Sequence, residues 1–312
     1  QLLRGKRLRT PRKSRTASTQ SERNADPEYS HYLELIEPEL KHSSEQITSW
    51  LAMNPDSPTI SILIPTYNTQ SDHLRACLDS ICAQTYPHWE LCICDDCSSQ
   101  SHVCEILTEY AEQDERIKLT FRQENGHICR SSNDALALAT GEFIALVDHD
   151  DALADDALYW VARELQLRPY SNLVYSDEDK IDESGRRSSP HFKPSFNIDL
   201  LLAYNFISHL GVYRTETVRS VGGFRIGLEG SQDHDLALRV VQHSGIEQIV
   251  HIPRVLYHWR MHEASTAIDP GSKDYTTKRG LRAVQEYLNH EINGGAESAV
   301  ATSVGSNRFR CQ

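Results

Sequence analysis

From residue 59 onward, two patterns of apolar and polar positions alternate along the chain. Residues 59–68, TISILIPTYN, form a near-continuous β-rich run, as expected of a strand covered on both faces. In the next segment, SDHLRACLDSICAQ, positions Leu74, Cys77, Leu78, Ile81 and Cys82 make one helical stripe. HWELCICDD predicts a second strand, SHVCEILTEYAEQ a helix, RIKLTFRQ a strand, RSSNDALALAT a helix and GEFIALVD a fourth strand. ALADDALYWVARELQLR predicts one helix, and LVYSD a short strand.

Strands alternating with helices at this spacing imply an α/β fold: a mostly parallel central sheet flanked by helices, with right-handed crossovers. In such sheets ligands bind beyond the carboxyl ends of the strands. The polar loops PTYN, DDCSS, ENGH and DHDD follow the first four strands in turn, so the four should line one rim. After about residue 180 the rhythm breaks. Residues 185–214 mix loop and apolar segments, SQDHDLALRVVQHS predicts a helix, IVHIPRVLYHWR a strand and DYTTKRGLRAVQEYLNH a last amphipathic helix. No internal repeat is visible, and the tail after residue 292 predicts no element. The expected organisation is a leader and linker over 1–56, with HYLELIEPELK as a short helix, an α/β half over 57–180, a second half over 181–292 and a tail over 293–312.

Composition adds limits. With 39% hydrophobic and 24% charged residues the chain reads as an ordinary globular protein. No run approaches the roughly 18–20 apolar residues of a membrane span, and residues 1–25 lack the apolar core of a signal peptide. The chain begins with Gln1 rather than Met, which suits a piece of something longer. Net charge is −12, but residues 1–23 hold eight Lys/Arg against one Glu, leaving about −19 for the rest. An acidic body argues against nucleic acid as a partner. The basic leader reads first as a solvated, disordered arm. The second reading is peripheral contact with an anionic membrane surface, at the inner face of the membrane. Of eight cysteines, five lie between Cys77 and Cys97. Cys92 and Cys94 fall in a predicted strand, and Cys77 and Cys82 on a predicted helix. Buried thiols in a reducing, cytoplasmic setting explain them better than zinc or disulfides.

The most informative stretch is FIALVDHDD. It drives an apolar strand into Asp148, Asp150 and Asp151. Clustered carboxylates at a strand end make sense if a divalent cation neutralises them, and Asp oxygens are hard ligands suited to Mg²⁺ or Mn²⁺. Helix capping by Asp150 or Asp151 is the simpler alternative, but it leaves Asp148 unexplained.

At this point the chain resembles a known family. ISILIPTYN, WELCICDDCSS, ENGH followed by SSNDALALATGEFIALVDHDD, GLEGSQDHDLALR and VLYHWRMHEAST recur in this order in family 2 glycosyltransferases of the bacterial polysaccharide type. The resemblance covers about residues 58–266 and implies a GT-A fold with a smaller acceptor-binding region. It implies that Pro65, Thr66, Tyr67 and Asn68 hold the nucleoside end of a nucleotide-sugar donor. Asp95 and Asp96 would reach the base or ribose, with Asn125 of ENGH on the same rim. DHDD resembles the family's D-x-D element, with Asp148 near ribose or metal, Asp150 on the metal and Asp151 behind them. His258 would complete the metal site. Lys193 and Arg260 are candidates for diphosphate contact, each with an ordinary ion-pairing role as the alternative. Asp233 is the expected general base. Asp235, two residues on along a helix, points elsewhere. One departure stands out: where many relatives carry Arg before the Asn of the third helix, this chain has Ser132, with Arg130 nearby.

The implied function is inverting, metal-dependent transfer of a sugar, from a UDP-sugar by preference, to a glycan or lipid-linked acceptor. The alternative is a non-catalytic donor-binding module of a larger glycan-polymerising protein. A nucleotidyltransferase would be expected to carry a Gly-rich loop after the first strand, which PTYNTQ lacks. No G-x-G-x-x-G follows a strand, which disfavours an NAD enzyme.

Overall fold

The computed structural model describes residues 26–261, 272–293, 299–305 and 307–311. The basic leader and residues 262–266 of the last motif lie outside the described residues. The chain forms two compact units, one ending at Leu40 and one from Lys41 to Gln312.

The described part of the first unit is helical, as HYLELIEPELK predicts: α1 (Pro27–His31), a π-helical turn over Tyr32–Ile36, and α2 (Glu37–Leu40). Asp26 starts it by accepting from the amides of Glu28 and Tyr29, satisfying donors that no helical carbonyl can reach.

The second unit opens with α3 (Ser44–Met53), whose N-terminus is closed by a reciprocal capping box between Ser43 and Gln46. Then follow β1 (Ile60–Thr66), α4 (Ser71–Cys82), β2 (Trp89–Asp95), α5 (Ser101–Gln113), β3 (Ile117–Phe121), α6 (His127–Leu138) and β4 (Phe143–Leu146). These strands pair in parallel, β1 lying between β2 and β4 and β3 outside β2. Alternate residues of β1 and β2 serve opposite faces. Ile60, Ile62, Ile64, Leu91 and Ile93 pack with α4, α5 and α7 (Ala157–Leu167). Leu63, Cys92 and Cys94 pack on the other side with α6 and α10 (Gln232–Ser244). That double burial is why these strands read as continuous apolar runs.

Beyond β4 the sheet changes character. β8 (Gly211–Arg214) runs antiparallel to β4 and to β6 (Leu173–Ile181). β9 (Ile249–Arg260) pairs with β6 in parallel, and β5 (Ala152–Leu153) closes the edge against β9. β7 (Arg187–His191) adds to β6. α8 (Ile198–Ala203) and α9 (Thr215–Ser220) fill the connections. α11 (Ser272–Asn293) and a hairpin, β10 (Ala301–Gly305) and β11 (Arg308–Cys311), end the described chain. The result is a nine-stranded mixed sheet, parallel at the β3–β2–β1–β4 end, with helices on both faces.

Three expectations change. The helix predicted over 152–168 starts only at Ala157, because Ala152 and Leu153 pair with His258 and Tyr257. Tertiary pairing overrides the helix preference of Ala and Leu there. Cys82, assigned to the buried stripe, is the last residue of α4 and exposed, while Cys77, Cys92, Cys94 and Cys129 are buried and unbridged. The segment after 292, read as featureless, contains a hairpin.

Candidate active site

Because β1 to β4 run parallel, their four following loops share one edge, and hydrogen bonds knit them together. Asp96 donates its amide to the Thr66 carbonyl, and its carboxylate accepts from Gly126 N at 2.8 Å. Asn125 donates to the Asp96 carbonyl. Thr69 and His149 meet at 2.8 Å, joining the first loop to DHDD.

The predicted donor residues divide by where they point. Tyr67 is 46% exposed, and Asn125 is also exposed. Pro65 and Asn68 are half-buried. Asn68 closes the start of α5, its side-chain oxygen accepting from Ser99 N and Gln100 N. Thr66 is fully buried. Asp95 is buried, and both of its oxygens accept from Ser98. Asp96 is buried beside the Arg122 guanidinium. Thr66 and Asp95 thus shape the rim from behind. Lys193 requires a correction. Its side chain is wholly buried, and its three N–H groups go to Glu178 and to the carbonyls of Ile207 and His209. An ammonium so committed does not reach a diphosphate. Arg260 is better placed: its amide donates to Asp151 Oδ1 and its Nε to the Asp150 carbonyl, so its guanidinium lies against the acidic turn.

The turn itself is built by β9. Tyr257 donates its hydroxyl to Asp151 Oδ2 at 2.5 Å and accepts from Asp148 N at 3.1 Å. The buried Cys77 thiol lies under the turn, 3.5 Å from the Asp148 carbonyl. Neither Asp150 nor Asp151 caps a helix. α7 begins five residues later with Asp156 at its cap position. Asp151 is 1% exposed, and burial, then the charges of Asp148 and Asp150, push its carboxyl well up. Asp148 keeps 45% of its side chain open to solvent. Partial burial raises its pKa above the ordinary value; His209 opposes the rise, while Asp150 and Asp233 add to it.

Among the described residues, the side chains whose donor atoms converge closely enough to share a metal ion are Asp148, Asp151 and His209, all within 4.8 Å of one another. His209 stands 3.9 Å from Asp148 Oδ2 and stacks on Tyr257 at 4.5 Å. The predicted ligand set was Asp148, Asp150 and His258. The structure puts Asp150 on the same turn and His258 across from Ala152, but outside that convergent group. His258 Nδ1 lies 2.6 Å from Asp179, a fully buried carboxylate that can only accept there. In the neutral ring this leaves Nε2 as the nitrogen with a lone pair, an orientation common in metal-ligating histidines. Hard oxygens that raise one another's pKa, with imidazole beside them, suit a divalent cation, whose charge would reverse that repulsion.

Asp233 sits in the first turn of α10, half-buried, and accepts from Asn205 Nδ2 at 2.8 Å. Asn205 in turn accepts from Ser208 N, the neighbour of His209. Asp235 faces the other way, 1% exposed and clasped by Arg225 and Arg239. Asn133 clamps the backbone of Phe224 through both ends of its amide, and Arg130 is exposed.

Sequence reasoning missed His209, Tyr257, Glu178 and Asp179. The run SDED, which lies inside β6, carried a signal like that of DHDD, acids following an apolar run. His209, in an irregular loop, carried none.

The family model for glycosyl transferase family 2 matches residues 61–222, more than half of the chain. The chain belongs to glycosyl transferase family 2. It is similar to the O-antigen biosynthesis protein RfbC of Myxococcus xanthus, 37% identical over 253 residues, which cover 81% of this chain and 19% of RfbC. The chain spans about a quarter or less of the length of RfbC and other long curated relatives. Among solved structures it is similar to Staphylococcus aureus TarS 1–349 in complex with UDP-GlcNAc. That likeness has a TM-score of 0.61 at 20% identity, over 77% of this chain and 68% of that one. It is also similar to the mannosyltransferase PcManGT of Pyrobaculum calidifontis in complex with GDP-Man and Mn²⁺. There the TM-score is 0.55 at 19% identity, over 82% of this chain and 72% of that one. These likenesses establish the fold of this family 2 member as GT-A. Among the described residues no helix is long and apolar enough to cross a membrane.

Proposed function

We propose that this chain is an inverting, metal-dependent glycosyltransferase that moves a sugar from a UDP-sugar to a hydroxyl of a glycan or lipid-linked acceptor. One observation carries the reading. The acidic turn after β4 converges with His209, and Asp233 stands within electrostatic reach of Asp148 on the far side of Asn205. Support for the donor comes from TarS, whose structure holds UDP-GlcNAc, and support for the ion from PcManGT, whose structure holds Mn²⁺. Support for a lipid-linked acceptor comes from a relative in Escherichia coli named as a UDP-Glc:α-D-GlcNAc-diphosphoundecaprenol glucosyltransferase.

On this reading residues 57–180 bind the nucleotide sugar and residues 181–292 supply the base and the acceptor side. Asp148, with Asp151 and His209 or with Asp150 and His258, would hold Mn²⁺ or Mg²⁺. A cation bound there would act as a Lewis acid toward the leaving diphosphate. The Arg260 guanidinium adds positive charge on the same side. Tyr67 and Asn125 present the exposed part of the donor rim. Asp233 takes the proton of the attacking hydroxyl, with Asn205 fixing one oxygen and leaving the other to act, a contribution of about 10²–10⁴-fold. Attack from the side of Asp233, opposite the leaving group, inverts the anomeric centre. The basic leader would add contact with an anionic membrane at its inner face.

The test is UDP release from a UDP-sugar, together with sugar transfer. Asp148→Ala, which removes the ligand common to both sets, should abolish metal-dependent turnover in a protein that still melts cooperatively. Asp233→Asn should bind donor normally and lose transfer by at least about a hundredfold. Full turnover by either variant contradicts its assigned role. The short span relative to RfbC favours one second reading, a non-catalytic donor-binding module of a longer glycan-polymerising protein. Such a module would bind donor and release no UDP.

A further inference from the structure

The hairpin β10–β11 lies outside the family-matched residues, yet it is docked on the side of the molecule that carries Asp233. Its start is tied to α11 by Ala301 N donating to Gln285, and its tip by Asn307 N donating to Thr277 Oγ1 at 3.1 Å. Phe309 is 4% exposed and stacks on the His234 ring at 6.1 Å. A Cβ at Gly280 would stand 2.7 Å from the Phe309 ring, which explains a glycine inside a long helix. Between these parts is a cavity of ≈ 190 Å³ with Asp233 in its wall.

The lining has a definite chemistry. Tyr204 offers aromatic surface, with the buried Phe309 ring backing the wall; Asn205, Ser208 and Asn307 offer amides and a hydroxyl. Side-chain amides hydrogen-bond hydroxyl groups in both directions, and aromatic faces accept the C–H face of a sugar ring. No Lys or Arg is among the described lining residues. Burial lowers the pKa of His234, which disfavours a positive charge there, and its ring meets the Leu201 carbonyl at 2.7 Å. The negative charge of Asp233 further disfavours an anion.

We propose that this cavity is the acceptor subsite, that it takes a neutral sugar residue in preference to a uronate or a phosphate, and that Asn307 and Phe309 of the hairpin determine that choice. The proposal rests on the glycosyltransferase reading and deepens it. The path Asp233–Asn205–Ser208 leads directly to His209 at the acidic cluster, so a hydroxyl held here would face the donor.

The test titrates the whole chain with p-nitrophenyl β-glycosides of glucose, galactose, N-acetylglucosamine and glucuronic acid, followed by saturation-transfer NMR. UDP-sugar binding is measured in parallel. At least one neutral glycoside should bind, and the glucuronide should bind less tightly. Asn307→Ala, at an exposed position, and Phe309→Leu should each weaken the neutral glycoside by about tenfold, as expected for one lost contact, with UDP-sugar affinity and melting temperature unchanged. Phe309 is buried, so if its variant fails to fold, the Asn307 variant decides. Equal or tighter binding of the glucuronide, no binding by any neutral glycoside, or an unchanged Asn307→Ala overturns the proposal. Failure of the wild-type protein to bind any UDP-sugar would instead sink the glycosyltransferase reading, and the glycoside titration remains separately readable.

Discussion

Strands β1–β4 and strands β6–β9 share one sheet but carry their acids in different ways. In the first group the acids of the rim, Asp96 and Asp148, lie in loops just past the strand ends: Asp96 is buried against Gly126 N and Arg122, and Asp148 keeps 45% of its side chain open to solvent. In the second, Asp177, Glu178 and Asp179 lie inside β6 and are 3%, 7% and 0% exposed. Each is therefore matched to partners. Asp177 accepts from Lys193 N and faces His251, Glu178 meets Lys193 and His191, and Asp179 meets Arg187 and His258. Two of these partnerships reach the site. Glu178 accepts from the backbone N of His209, and Asp179 orients His258. The strand acids hold the histidines that stand beside the loop acids, and the proposed ligand contacts fall to the loop acids.

The contrast predicts unequal costs on mutation. The largest effect belongs to the buried pair. Glu178→Ala leaves the Lys193 ammonium enclosed without its counter-charge and should cost about 3–5 kcal/mol in urea denaturation. Adding Lys193→Met should recover part of that loss, because it removes the stranded charge. A loss under about 1 kcal/mol for Glu178→Ala would mean that water reaches Lys193 and that the β6 acids are no different from the loop acids.

A smaller effect attaches to Glu90, a buried acid inside β2 of the parallel half. Burial pushes its pKa up, but hydrogen bonds from Lys118, Ser61 and Thr140 outweigh burial and hold it at about 2. Its folded value lies below the unfolded value of about 4.5, so its contribution is fully present above that pH. The contribution is lost as pH falls from about 5 toward 2, and amounts to at most about 3 kcal/mol. Glu178 is also held at about 2, by His191, Lys193 and His209 against its burial, so it adds to the same window. Glu90→Gln should flatten part of the pH dependence of the urea midpoint between pH 5 and 2. An unchanged slope would show that Glu90 titrates normally in the folded chain.

The same division explains what the sequence disclosed. Ser101–Gln113 and Ile249–Arg260 coincide with their predicted helix and strand, because amphipathic stripes and apolar runs are local signals. The rim was legible for the same reason, since four strands each run straight into a polar loop. β7, with the sequence RSSPH, has no alternation to read and exists only by pairing with β6. β5 is two residues long and forms through its pairing with β9. His209 and Tyr257 join the site through a loop and through β9, so their partners are far off in sequence. Lys193 shows the converse: a cation beside a motif was read toward the ligand, while the fold required it against Glu178.

The central claim is that the Asp148 turn joins a divalent cation to a nucleotide sugar. The most direct measurement is the melting temperature of the chain across a panel of UDP- and GDP-sugars, each with Mn²⁺, with Mg²⁺ and with EDTA. The account predicts that a UDP-sugar raises the melting temperature selectively, that EDTA removes the rise, and that Asp148→Ala lacks it. A rise of equal size in EDTA, or none with any sugar nucleotide in either metal, would contradict it.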